Sequence, residues 1–147
     1  MKTVRDILRE KGYDVWSVAA DATVYEALRV MAEKNIGAVL VLEQGKLAGI
    51  LSERDYARKV ILQGRSSLST PVKEIMTQQV FYVRPDQTIE ECMALMTDRR
   101  IRHLPVLEDN RLIGVISIGD VVKAIVLEQK VTIQQYENYI LGRGYGQ

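Results

Sequence analysis

The sequence predicts a mixed α/β protein made of two copies of one unit, related by a pseudo-twofold axis. Three observations support this: an internal repeat without gaps, the same order of helix and strand patterns in each repeat, and a polar connection between them. With a shift of 65 residues, positions 15–62 align with positions 80–127, and 15 of the 48 pairs are identical. Because a solenoid needs about three repeats, the pattern favours one compact pair.

Each repeat has the order strand, helix, strand, strand, helix. In the first repeat a short strand precedes a helix from Thr23, whose apolar residues recur at the spacing of an amphipathic helix. Thr23 is expected to cap this helix, with Glu26 completing a capping box. The predicted strands are Val15–Val18, Ala38–Leu42 and Leu47–Leu51, with Val80–Val83, Leu104–Leu107 and Leu112–Ile116 in the second repeat; the other helices begin at Ser52, Thr88 and Ser117.

The repeat sets the expected domain boundaries. Residues 1–65 form the first domain, 66–70 a linker, and 71–130 the second domain. Val131–Leu141 is predicted to form one more helix, and residues 142–147 are expected to fray. Because this end of the chain is rich in tyrosine, we expect it to pack on its own domain, with a partner chain as the alternative.

The composition excludes or disfavours several classes of function. There are 20 Lys+Arg against 19 Asp+Glu, with one His and one Cys, so a site built from several His or Cys ligands is excluded. The small net charge disfavours nucleic-acid binding, and no apolar run reaches the ~18 residues of a membrane span. Cys92 lies on an apolar helical stripe and is expected in the core. These features favour a cytoplasmic protein without catalytic activity.

The candidate chemistry lies at two equivalent junctions between a strand and a helix. Gly49–Asp55 and Gly114–Asp120 share the pattern Gly, two apolar residues, Ser, two residues, Asp. Backbone N–H groups at the start of a helix are unpaired and favour a phosphate, while a carboxylate can accept the two hydroxyls of a ribose. The alternative is an ordinary capping box at each helix start.

A basic group follows the first helix of the second repeat. It contains Arg99, Arg100, Arg102 and the only histidine, His103, just before a strand that includes Pro105. Guanidinium groups match phosphate oxygens, so the cluster suits a phosphorylated ligand. The equivalent positions of the first repeat keep one charge, Lys34, which predicts two unequal sites. The matched aromatic residues Trp16 and Phe81 are expected either in the core or beside an adenine ring.

Together these motifs resemble a tandem cystathionine-beta-synthase (CBS) domain pair, also called a Bateman module. The resemblance covers residues 1–130 and is carried by Gly49–Ile61, Leu95–Val106 and Gly114–Val122. These stretches are similar to stand-alone bacterial CBS-pair proteins and to plant organellar CBS-domain proteins proposed to regulate thioredoxin. The resemblance implies two CBS domains packed sheet to sheet, two clefts between them, and a homodimer.

The resemblance also implies a ligand. Such clefts bind adenosyl compounds, usually AMP, ADP or ATP and sometimes NAD or S-adenosylmethionine. It places Asp55 and Asp120 on the ribose and Arg102 and His103 near the phosphate, with an adenine held by apolar residues. Val15, Trp16 and Ile36 are the counterparts of that apolar set in the first repeat. The expected contact residues are Ser52, Arg54, Asp55, Val80, Phe81, Ile101, Arg102, His103, Pro105, Ser117 and Asp120.

One departure from the family pattern predicts unequal clefts. Gly37 and Ala38 stand where the second repeat has Arg102 and His103, which puts phosphate binding beside them in doubt, although Arg54 could compensate. Because the basic cluster belongs to the second repeat, we expect the stronger site to depend on Asp120.

The sequence therefore predicts a regulatory module that senses an adenine nucleotide, needs no obligatory cofactor, and modulates a partner protein. One alternative is a ligand-independent interaction module that binds a thioredoxin or a metabolic enzyme. The other is a nucleic-acid binder using Arg65, Arg99, Arg100 and Arg102, which the near-zero net charge disfavours.

Overall fold

The computed structural model describes residues 1–141. Its helices and strands follow the predicted order, except that an additional helix precedes the first repeat and the first strand of the second repeat is missing. A π-helical turn, Ala57–Ile61, extends the third helix, and a short 3-10 turn covers Val72–Glu74. The elements are α1 Val4–Lys11, β1 Ser17–Ala19, α2 Val24–Lys34, β2 Ala38–Glu43, β3 Lys46–Ser52, α3 Glu53–Tyr56, α4 Ile89–Arg99, β4 His103–Glu108, β5 Arg111–Ser117 and α5 Ile118–Ile140.

The two repeats differ in their first strand. In the first repeat β1 pairs parallel to β2, which forms an antiparallel hairpin with β3. In the second repeat β4 and β5 form the same hairpin, but the predicted strand Val80–Val83 is reduced to one bridging residue, Val83. Two prolines explain the loss. Pro85 and Pro105 lack the N–H groups that their counterparts Ala20 and Leu40 donate at 3.1 and 3.2 Å.

The two hairpins turn in the same way. Gln44 and Gly45 have φ of 51° and 76°, and Asp109 and Asn110 have φ of 52° and 63°. Positive φ at both central residues is the requirement of a type I′ turn, whose twist matches that of the flanking strands. The predicted polar turns are therefore confirmed, and they fix the register that places each following helix start.

The predicted helix starts are also confirmed. Thr23 accepts a hydrogen bond from the Glu26 N–H at 3.1 Å, and Thr88 caps α4 in the same way. Within residues 1–141 the full capping box expected at Thr23 is not formed, whereas both Ser52 and Ser117 have one. At those two positions the aspartate carboxylate accepts a hydrogen bond from the serine N–H.

Each hydrophobic core contains a segment from the other half of the chain. Val4 and Leu8 of α1 are buried with Ile89 and the rest of the second repeat, whereas Val72 and Ile75 are buried in the first repeat. Equivalent backbone hydrogen bonds hold both segments. The Arg5 N–H donates to the Pro85 carbonyl oxygen and the Lys73 N–H to the Ala20 carbonyl oxygen, each at 2.9 Å. The N-terminal helix thus completes the core of the second repeat.

Cys92 lies in the second of these cores with no exposed surface, as the sequence predicted. Burial raises the pKa of its thiol to about 11, with Glu91 and Glu90 adding to the shift.

The glycine of the repeated motif is explained by these exchanged segments. A Cβ at Gly49 would lie 2.8 Å from the Thr77 carbonyl oxygen, and one at Gly114 would lie 2.7 Å from Leu8 Cδ2. A side chain at position 49 would displace the backbone of Thr77, and one at position 114 would force the buried Leu8 side chain to move. The two glycines therefore admit the segments that cross β3 and β5.

The last helix also differs from its prediction. The expected separate helix Val131–Leu141 is instead the continuation of α5, because no proline or glycine follows the first turn of α5 to end it. Its tyrosines Tyr136 and Tyr139 are 67% and 85% exposed, so the predicted packing on its own domain is wrong for this stretch. The predicted fraying of residues 142–147 falls outside the described residues. No helix within residues 1–141 is long and apolar enough to cross a membrane.

Candidate ligand clefts

Two cavities lie between the repeats, and each contains one of the predicted Ser-x-x-Asp junctions. The Asp55 cleft has a volume of about 400 Å³ and joins Ser52 and Asp55 to residues of the second repeat. The Asp120 cleft has a volume of about 460 Å³ and joins Ser117 and Asp120 to residues of the first repeat. Both volumes fall in the range of small-molecule sites.

The Asp55 carboxylate is held firmly at the helix start. Its Oδ2 accepts the Ser52 N–H at 3.0 Å and the Ser52 hydroxyl at 3.1 Å. Its Oδ1 accepts the Thr77 hydroxyl at 3.2 Å and lies 3.0 Å from Lys59 Nζ. These bonds fix the position of the Asp55 carboxylate before any ligand is bound. A diol that reached the carboxylate would replace some of them.

The same cleft has a strongly basic lining. Four arginines from two segments line it: Arg54, Arg58, Arg100 and Arg102. Two carboxylates, Glu53 and Asp55, oppose them, which leaves an excess of positive charge. Arg100 has a left-handed conformation, φ 54°, at the end of α4, and its carbonyl oxygen accepts Arg54 Nη1 at 3.4 Å. The turn that ends α4 thus brings the arginines to one wall.

An apolar wall lies near these cations. Val80, Phe81 and Ile101 line the Asp55 cleft together with Ile50 of β3. Arg99 lies over the Phe81 ring, with its guanidinium carbon 4.9 Å from the ring centroid. The equivalent pair in the first repeat, Lys34 over Trp16, is 4.2 Å apart. A flat aromatic ligand and an anionic group can therefore be accommodated side by side in this cleft.

The Asp120 cleft is different in charge. Lys11 is the one Lys or Arg among its described lining residues, and Asp14 and Asp120 oppose it. Lys11 Nζ donates to Asp120 Oδ2 and to the Val115 carbonyl oxygen, both at 2.7 Å. The remainder of the lining is mostly apolar and includes Trp16, Ile36 and Ala38. Apart from Lys11, which is paired with Asp120, the described lining of this cleft offers no Lys or Arg to a phosphate.

The ion pair changes the titration of Asp120. Burial acts to raise the pKa of this carboxyl, but the bond from Lys11 and the N–H bond from Ser117 outweigh it, and the pKa is lowered. At neutral pH the Asp120 carboxylate is therefore negatively charged, and the ammonium group of Lys11 balances that charge.

His103 lines both clefts. Burial lowers the pKa of its imidazole, and the nearby Lys11 and Arg102 lower it further, against the opposing effect of Asp120. The residue is therefore neutral at pH 7. An anion bound in the Asp55 cleft would approach the same ring that faces Lys11 and Asp120.

The structure corrects how the predicted site residues combine. Asp120 was expected beside the basic cluster because both belong to the second repeat, but Arg100 and Arg102 of that cluster line the Asp55 cleft, and only His103 lines both clefts. Arg54 lies in that same cleft and does not line the Asp120 cleft, so it cannot compensate there. Pro105 is buried in β4 and lines neither cleft.

The anion site expected at the helix starts is weaker than the sequence suggested. Glu53 N–H donates to the Gly37 carbonyl at 3.0 Å, and Asp55 N–H donates to the Ser52 hydroxyl at 3.1 Å. The second junction uses its N–H groups in the same way. Because these donors are occupied, the guanidinium groups of the Asp55 cleft are the better partners for a phosphate.

Sequence reasoning missed Lys11 and Thr77. Lys11 precedes the aligned block 15–62, and Thr77 precedes its counterpart 80–127, so neither lies in the part of the repeat that aligns without gaps. The only signal was the weaker similarity of residues 4–8 to residues 72–76, which places both segments just before the clefts.

Comparison with known proteins identifies the family. The family profile of the CBS domain matches residues 4–61 and 72–127. The chain belongs to the CBS-domain family. This CBS pair is 45% identical to the CBS domain-containing protein CBSX3, mitochondrial, of Arabidopsis thaliana, over 97% of this chain and 73% of that protein. It is 36% identical to the CBS domain-containing protein YhcV of Bacillus subtilis, over 82% and 83% of the two chains.

Solved CBS-domain structures share the fold. A protein with CBS domains from Burkholderia ambifaria is 53% identical and superposes with a TM-score of 0.84, covering 87% of this chain and 96% of its own. The CBS-domain pair of protein MJ0100, solved in complex with 5′-methylthioadenosine and S-adenosyl-L-methionine, is 23% identical with a TM-score of 0.75, covering 87% and 98%. At that identity the likeness shows the fold alone.

Proposed function

We propose that this CBS pair binds an adenine nucleotide in the Asp55 cleft and that the bound nucleotide regulates a partner protein. The observation that carries the proposal is the meeting of three features in one cavity: a fixed carboxylate, four arginines and an apolar wall. A nucleotide presents the complementary set: a ribose diol, a phosphate and a flat base. AMP, ADP, ATP and NAD all have these groups.

The lining of the cleft supports one proposed contact for each part of the nucleotide. The ribose hydroxyls would donate to Asp55, replacing the Thr77 hydroxyl that now bonds to Oδ1. The phosphate would face Arg102 and Arg100, since bidentate guanidinium–phosphate bonds are strong and directional. The adenine would lie between Phe81 and Ile101, where an aromatic contact adds to the burial of apolar surface.

Regulation would follow from the position of the cleft. Its lining comes from both repeats, so a ligand that fills it favours one relative arrangement of the two units. A partner that contacts both units could respond to that change. A micromolar affinity, about −7 to −8 kcal/mol, would suit a sensor of cellular adenylates.

Calorimetric titration of ligand-free protein with AMP, ADP, ATP and NAD tests the proposal. We expect heat and a rise in melting temperature with at least one of them, and about tenfold weaker binding for Arg102→Gln because a charged hydrogen bond is lost. Arg84→Gln is the matched control, since Arg84 is exposed outside both clefts and its salt bridge within residues 1–141 is to the exposed Asp86. Absence of binding by all four nucleotides contradicts the proposal and favours a ligand-independent interaction module.

The nucleic-acid alternative gains no support from the described residues. Arg65 is paired with Glu74 at 2.5 Å, and Arg99 stacks on Phe81. The remaining members of that group, Arg100 and Arg102, face the Asp55 cleft. The expected cytoplasmic location stays a prediction.

A further inference from the structure

The two clefts adjoin at three residues. Gly37, Ile50 and His103 line both the Asp55 cleft and the Asp120 cleft, whereas every other lining residue within residues 1–141 belongs to one of them. A ligand that is too long for one cleft can therefore continue past these three residues into the other.

Gly37 has no side chain at the place where the clefts adjoin. Its φ lies outside the left-handed region, and a Cβ added to it would make only ordinary contacts, with Glu53 Oε1 at 3.5 Å and with His103 Cε1 at 3.7 Å. Neither the backbone nor close packing therefore requires a glycine here, in contrast to Gly49 and Gly114. A longer side chain would take up space beside the His103 ring. The glycine thus leaves a passage between the two clefts.

The two clefts differ in which part of a ligand they can hold. The arginines that can meet phosphate groups line the Asp55 cleft, whereas Lys11 in the Asp120 cleft is already paired with Asp120. The Asp120 cleft nevertheless has a carboxylate for a ribose, with Trp16 and Ile36 for a flat ring. It is therefore suited to an uncharged nucleoside whose phosphate is held in the neighbouring cleft.

We propose that the preferred ligand of this CBS pair is a dinucleotide, two nucleosides joined through a pyrophosphate, that occupies both clefts at once. This inference rests on the proposed function, because one nucleoside takes the place proposed there for the nucleotide in the Asp55 cleft. The pyrophosphate lies where the clefts adjoin, between the arginines and His103, whose ring N–H can donate to a phosphate oxygen. The second nucleoside lies in the Asp120 cleft, with its ribose on Asp120 and its base beside Trp16.

A comparison of matched ligands tests the proposal. ADP has the adenosine and the pyrophosphate of NAD and of diadenosine pyrophosphate but lacks their second nucleoside. We expect at least one of these two dinucleotides to bind about tenfold more tightly than ADP in calorimetry, with one molecule per chain, because its second nucleoside binds as a tethered group. Binding of ADP that equals or exceeds that of both dinucleotides overturns the proposal and leaves the proposed function intact. Absence of binding by all three contradicts the proposed function as well.

The fluorescence of Trp16 reports on the second cleft. Trp16 is the only tryptophan of the chain, and it lines the Asp120 cleft but not the Asp55 cleft. A saturating dinucleotide should change its emission, excited at the red edge of the indole band where adenine does not absorb, whereas saturating ADP should leave the emission nearly unchanged. An unchanged emission with the dinucleotides, or the same change with ADP, overturns the proposal.

Two substitutions test the passage and the second ribose contact. Gly37→Val places a side chain where the clefts adjoin, and Asp120→Asn removes a charged acceptor. Each should lower the affinity for the dinucleotide relative to the affinity for ADP in the same variant, by about tenfold for the lost charged hydrogen bond. Asp109→Asn is the matched control for the second variant, since Asp109 lies on the exposed turn between β4 and β5, outside both clefts. A ratio of the two affinities that stays at the wild-type value in either variant overturns the proposal.

Discussion

The two clefts begin from equivalent residues and end with different chemistry. Ile50 and Val115 occupy the same position in the repeat, and each has a carbonyl oxygen that accepts a bond from an incoming segment. In the Asp55 cleft the donor is the backbone N–H of Thr77, whose hydroxyl also reaches Asp55. In the Asp120 cleft one ammonium group, that of Lys11, makes both contacts.

This difference shows where a duplicated protein can diverge. The strand and helix starts are fixed by caps and hairpins that both repeats need in order to fold. The two segments that cross β3 and β5 precede α4 and α2, respectively. Their residues are less restricted by this requirement and can differ between the repeats. Both aspartates are paired with a lysine, Asp55 with Lys59 and Asp120 with Lys11. The Asp55 cleft differs because four further arginines line it and can meet an anion, whereas Lys11 is the one Lys or Arg in the described lining of the Asp120 cleft.

The strongest test of this contrast compares Asp55→Asn with Asp120→Asn. Asparagine keeps an acceptor for the serine N–H, so both helix starts should survive. Loss of the charged acceptor for the ribose should weaken AMP binding by about 2 to 3 kcal/mol, on the order of 100-fold, in Asp55→Asn. Calorimetry should find the wild-type affinity in Asp120→Asn. Equal losses in both variants would mean that the clefts do not differ in this way.

A second test removes the lysine. Lys11→Met should raise the pKa of Asp120, measured by carbon NMR of its carboxyl, because its cationic partner is gone. The loss of folding free energy, from urea unfolding, should stay below about 1 kcal/mol, since this ion pair is partly exposed. AMP binding in the Asp55 cleft should not change. The exposed Lys46→Met is the control; an unaltered Asp120 titration in Lys11→Met would refute the assigned pairing.

The smallest expected effect concerns His103. Its pKa is lowered in the folded protein, so the unfolded chain takes up a proton first as the pH falls below about 6.5. The free energy of unfolding should therefore decrease from pH 7 to pH 5, and His103→Gln should flatten that slope. Urea unfolding at several pH values measures it, and an unchanged slope would show that another group titrates.

Much of the architecture was predictable because it depends on local rules. The repeat, the turns at Gln44 and Asp109, and the caps at Ser52 and Ser117 can each be inferred from neighbouring residues. The shortened strand around Val83 could have been anticipated from Pro85 and Pro105, but only with the hydrogen-bond pattern of the first repeat in hand.

The composition of each cleft was not predictable in the same way. Sequence proximity placed Arg102 with Asp120, whereas the fold places it with Asp55 because each cleft is closed by the other repeat. Lys11 and Asp120 are 109 residues apart in the sequence, and no periodic pattern predicts a contact between residues so far apart. Such pairings depend on the docking of the two units.

The exchanged segments also constrain the order in which the chain can fold. As the polypeptide leaves the ribosome, α1 emerges first, yet the residues that bury Val4 and Leu8 are made much later, from Val83 to Ala124. Until then the eight residues of α1 have no partner, and a helix of this length is too short to be stable alone. The first repeat, in turn, closes only when Val72 and Ile75 arrive. Neither half is a finished folding unit, and we expect the pair to unfold in a single transition.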